Sequence, residues 1–60
     1  MITKVADFVD FCKTADNETI FDAFEFDCSD DVRDAIYDLA DNDSVEPFRN
    51  AMHKLGFVSF

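Results

Sequence analysis

Apolar residues recur along this chain with a helical period at three places. Val5, Phe8, Val9 and Cys12 fall at i, i+3, i+4 and i+7, the spacing that lines one face of an α-helix. Thr3 stands just before them as an N-cap, while Asp7 and Asp10 take the opposite face. Phe11 lies off this stripe, where it flanks the core or meets a partner. Val32, Ala35, Ile36 and Leu39 repeat the pattern behind Ser29 as cap, and Asp30 and Asp31 sit where a helix dipole favours anions. The turn residues Asp41, Asn42, Asp43 and Ser44 follow. Phe48, Ala51, Met52 and Leu55 then line a third helix, and Gly56 is placed to end it. Glu46 precedes a proline and is steered away from helical backbone, so this helix is expected to begin at Pro47 rather than Ser44.

The stretch 17–27 satisfies two templates. Ile20, Phe21 and Phe24 suit a short helix, whereas Phe24, Phe26 and Cys28 alternate with Glu25 and Asp27 as a strand would. We read a turn of helix running into a short strand, with residues 57–60 placed to pair with 24–27. The expected fold is mainly α: one domain over residues 1–60, a compact three-helix core with or without a minimal two-stranded β-ribbon. The order helix, turn, helix, terminal strand over residues 29–60 loosely resembles a winged helix-turn-helix.

Size and charge narrow the function. A chain of 60 residues has a thin core, worth seldom more than about 3–5 kcal/mol. Eight Phe supply much of its apolar bulk, and a 48% hydrophobic content separates it from disordered tails. Fourteen acids against five Lys and Arg leave a net charge of −9. Such a field repels phosphate backbones and anionic membranes and steers the chain toward basic partners. Residues 1–10 carry acid where a secretory signal would be basic, and no apolar run nears the ~20 residues of a membrane span. Cys12 and Cys28 form no CxxC motif and sit among apolar residues, which reads as reduced, buried thiols in a cytoplasmic protein.

Candidate chemistry is sparse. His53 is the sole histidine and has no recognisable nucleophile beside it. A chain this short is also expected to lack room for a pocket of the usual ~300–1,000 Å³. No catalytic residue, cofactor or metal is assigned. The turn at 41–46 lacks the glycine and distal glutamate of a calcium loop, and Cys12, Cys28 and His53 lack a fourth ligand for zinc.

What remains is charge pattern. Asp31, Asp34, Asp38 and Asp41 recur at i, i+3, i+7 and i+10 along one side of the second helix, with Asp30 and Asp34 a further like-charged pair. Each like-charged i,i+4 pair costs a helix about 0.2–0.5 kcal/mol, and aspartate is a poor interior helix residue. Glutamate would dissolve the protein as well at less cost; the shorter aspartate fixes charge close to the backbone. The partner-binding candidates are therefore Asp30, Asp31, Asp34, Asp38 and Asp41. Arg49, Asn50, His53 and Lys54 on the third helix form an alternative basic face, although cations near a helix C-terminus also simply offset its dipole.

In charge and size the chain resembles small acidic inhibitors encoded by bacteriophages, the DNA mimics and anti-CRISPR proteins. The resemblance implies a non-enzymatic protein, acting in the bacterial cytoplasm, that blocks the cationic surface of a nucleic-acid-handling protein. Two further readings stand beside it. One is an interaction module, a homodimer joined through Phe11, Phe21, Phe57 and Phe60, which look like more aromatics than a thin core accommodates. The other is direct nucleic-acid binding through Arg49, Asn50, His53 and Lys54. Sedimentation separates the first two: a salt-insensitive dimer marks hydrophobic self-assembly, and a monomer whose partner binding collapses with salt marks mimicry. Absence of a gel-shift complex at low salt disposes of the third.

Overall fold

The chain folds into four α-helices and two shorter helical turns in a computed structural model that describes residues 1–39 and 42–57. Helix α1 (Val5–Cys12) buries Phe8 and Cys12. Its N-cap is Lys4, still extended at φ −132°, with no side-chain bond to the helix; Thr3 is therefore not the cap. Helix α2 (Asn17–Asp22) is capped by Asp16, whose carboxylate accepts the Thr19 N–H at 2.8 Å. That bond holds the Asp16 carboxyl below its usual pKa.

The expected strand at 24–27 is absent. Helix α2 continues directly into a π-helical turn (Ala23–Asp27), so backbone groups that a strand would offer to a ribbon are used within the helix. Phe24 turns inward, 2% exposed, and Phe26 outward, 78% exposed. The alternation survives only at Cys28, an extended residue that bridges Ile2 in parallel register. Ile2 donates its N–H to the Asp27 carbonyl at 2.5 Å and accepts the Ser29 N–H at 2.9 Å, which ties the start of the chain to the middle. Among the described residues there is no ribbon and no wing, and the proposed partner segment at 58–60 lies outside them.

Helix α3 (Asp30–Asp38) begins as its sequence indicates, with the Val32 N–H donating to Ser29 Oγ at 3.3 Å and Asp30 and Asp31 in the first turn. The Asn42 side chain accepts the Ser44 N–H at 2.9 Å and opens a 3₁₀ turn (Asp43–Val45). Helix α4 (Glu46–Lys54) starts one residue ahead of Pro47, the proline occupying the first turn where its missing N–H costs nothing. It stops at Gly56, φ +98°. There the Gly56 N–H bonds the His53 carbonyl at 3.1 Å and the Phe57 N–H the Met52 carbonyl at 2.9 Å, the paired closure of a Schellman motif.

Helix α4 is the hub, packing on α2 and α1, while α1 also carries α3. The rings of Phe8, Phe24 and Phe48 meet at the centre, with Ile20, Val32, Ile36, Val45 and Met52 closing around them. Phe11 and Phe21 are half-buried against this core rather than free on the surface. Phe57 is exposed but stacks on Phe21 at 5.2 Å between centroids. Phe60 lies outside the described residues.

Two substitutions distinguish the π turn from a strand that would bury both rings. Phe24→Ala removes a buried ring, a loss of about 3–5 kcal/mol, and should leave the domain largely unfolded in a urea titration. Phe26→Ala should shift stability by less than about 0.5 kcal/mol. Ser29→Ala should cost about 1 kcal/mol through loss of the α3 cap, read in the same titration.

Candidate functional site

Helix α3 decides where the acidic residues point. Val32, Ala35, Ile36 and Leu39 face the core or lie half-buried beside it, which forces the remaining positions outward. At 3.6 residues per turn, Asp30, Asp31, Asp34 and Asp38 fall within an arc of about 100° on the outer side. All four are exposed. Asp41 lies outside the described residues. The carboxylates are not equivalent. Arg33 Nη2 donates to Asp30 Oδ1 in an ion pair, and Lys13 Nζ to Asp10 Oδ1 at 3.3 Å. Asp31, Asp34 and Asp38 take part in neither pair, so this edge of α3 presents its negative charge to solvent.

Beside the ridge is a feature that sequence reading missed. The π turn and α3 enclose a surface cleft of about 400 Å³, lined by Phe24, Glu25, Asp30, Arg33, Asp34 and Tyr37. A pocket of this size was not expected in so short a chain; it arises because it is open to solvent and built between two elements rather than within the core. Tyr37 and Phe24 meet in a T-shaped contact, ring centroids 5.7 Å apart at 75°. Arg33 is held in its charged form by the hydrogen bond to Asp30 and by the nearby carboxylates of Asp30, Glu25 and Asp34. Its Nε is buried with no acceptor. The sequence did carry one signal for the cleft: Tyr37 falls off the apolar stripe of α3, on the side of Arg33 and Asp30.

The alternative basic face is present on α4. Asn50, His53 and Lys54 are exposed and Arg49 is half-buried. Arg49 and His53 each already take part in an interaction within the chain. His53 and Lys54 occupy the last turn, where positive charge offsets the helix dipole.

Cys12 and Cys28 are free and buried. Burial, with Cys28 alongside, pushes the Cys12 thiol up to about 12. Burial and the Asp27 carboxylate raise Cys28 as well, partly offset by Arg33. Neither thiol is a nucleophile near neutral pH. No group of three or more His, Cys, Asp or Glu among the described residues is placed to hold a metal ion. No helix among them is long and apolar enough to cross a membrane. Comparisons with protein-family models, curated proteins and solved structures found no match.

The thiols give a pH prediction with a definite sign. A folded state that holds its thiols protonated contributes stability in full below the unfolded value of 9.0 and loses it as pH rises toward about 12. Urea midpoints should therefore fall across that window, and a Cys12→Ala variant should show a smaller fall. Iodoacetamide at pH 8 should label neither cysteine in the native protein and both in urea.

Proposed function

We propose that this protein is a non-enzymatic acidic binder that occupies the cationic, nucleic-acid-binding surface of a partner protein in the manner of a phosphate backbone. One observation carries the reading: Asp31, Asp34 and Asp38 stand exposed on one side of a single helix and outside the ion pairs made by Arg33 and Lys13. Charges three or four residues apart lie ~4.5–6 Å apart along a helix axis, sparser than the one phosphate per ~3.4 Å of a DNA strand. Glu25 and Asp30 at the neighbouring cleft add to the anionic surface. The net charge of −9 supports a basic protein over free nucleic acid as the target, because like charges repel across about 8 Å at physiological salt. A nucleic-acid-handling target places the protein in the cytoplasm, and the likeness in charge and size to phage-encoded inhibitors points to a host factor. Phe26 favours a protein partner independently: an aromatic ring 78% exposed is the kind of anchor that protein interfaces bury.

The immobilised chain should capture a protein from a bacterial lysate that is released by a salt step and displaced by duplex DNA. Replacing Asp31, Asp34 and Asp38 together by Asn should abolish that capture while leaving the helical circular dichroism unchanged. Capture that survives both the triple substitution and excess DNA contradicts the proposal.

A further inference from the structure

We propose that the cleft between the π turn and α3 seats an arginine side chain of the cationic partner, an inference that rests on the proposed function and names the chemistry of its contact. The cleft combines three things a guanidinium requires. It has volume, about 400 Å³, within the range of small-ligand sites. It has carboxylates: Glu25 from the π turn and Asp30 and Asp34 from α3, three anions that share the single charge of Arg33, which ion-pairs with Asp30. It also has an aromatic ring. Tyr37 is 56% exposed and makes a T-shaped contact with the buried Phe24.

These features select arginine over lysine. A guanidinium is planar, offers five N–H donors in a fork that matches carboxylates, and stacks on aromatic faces; an ammonium is a compact point charge held more tightly by water. A cation over an aromatic face is attracted by the ring quadrupole, more strongly where water is excluded. A ring that already packs on a neighbour has less side-chain freedom to lose on binding. Arg33 pairs with Asp30 and lies near Glu25 and Asp34 as well, so it neutralises part of the cleft and leaves the lining net negative, three carboxylates against one guanidinium. The field of the whole chain supplies the attraction; the cleft supplies the selection.

The test uses the full, ¹⁵N-labelled chain with nona-arginine and nona-lysine peptides as probes at low salt. Amide shifts should be largest at Glu25, Arg33, Asp34 and Tyr37, and nona-arginine should bind at least about fivefold tighter than nona-lysine, worth ~1 kcal/mol. Tyr37→Leu, which leaves the charge untouched, should remove that preference. Glu25→Gln should weaken nona-arginine more than nona-lysine; thermal melts confirm that both variants fold. Equal affinity for the two peptides, or an unchanged preference in Tyr37→Leu, overturns the arginine seat. If binding then depends only on Asp31 and Asp38, outside the cleft, the cationic-partner reading stands without it. If neither peptide binds, both fall.

Discussion

Three phenylalanine rings meet at the centre of this molecule, from α1, the π turn and α4, with centroids between 4.7 and 5.9 Å apart. Phe8, Phe24 and Phe48 come from separated stretches of chain, so none gains its contacts until the helices close together. A 60-residue chain has few other ways to bury enough area, since small domains cover only ~60% of the surface their unfolded chains expose. The remaining architecture is set by this cluster. Phe24 anchors the π turn and also packs against Tyr37. With α1 and α4 fixed on the rings, α3 has one face to bury, and its aspartates take the other.

The three periodic helices were legible because each repeats i, i+3, i+4, i+7 against one core. The capping role of Ser29 and the stop at Gly56 were legible for the same kind of reason, a local backbone need met by a residue suited to it. The stretch 23–27 was not. Phe24 and Phe26 alternate with acids as a strand would, yet a strand needs a neighbouring backbone, and among the described residues only Ile2 forms a bridge, at Cys28. A π turn widens the helix by one residue and shifts the phase of the side chains that follow, which a 3.6-residue template does not anticipate. Thr3 failed as a cap because the bridge at Ile2 keeps the chain extended through Lys4. The exposed position of the α3 aspartates followed from the stripe opposite them. The cleft did not, because Glu25 and Asp34 are brought together only by tertiary packing.

Charge and core work against each other here. A net charge of −9 on so small a body raises the energy of the compact state, and like-charged neighbours on α3 subtract about 0.2–0.5 kcal/mol per pair. Asp38, in the last turn of α3, also faces the negative end of the helix dipole. Residues that reduce stability without serving the core are the expected mark of a binding surface, where function and stability compete. The thiols contrast with this: Cys12 and Cys28 are buried among apolar neighbours and serve packing.

If the α3 aspartates are held for binding at the expense of folding, neutralising those farthest from the favourable N-terminal end should make the protein more stable. The direct measurement is the urea unfolding free energy of the parent chain and an Asp34→Asn/Asp38→Asn variant, each at low and high sodium chloride. The variant should be more stable at low salt, the parent should gain more from added salt, and the difference should shrink as the charges are screened. A variant that is less stable than the parent, or a difference that salt does not touch, contradicts it.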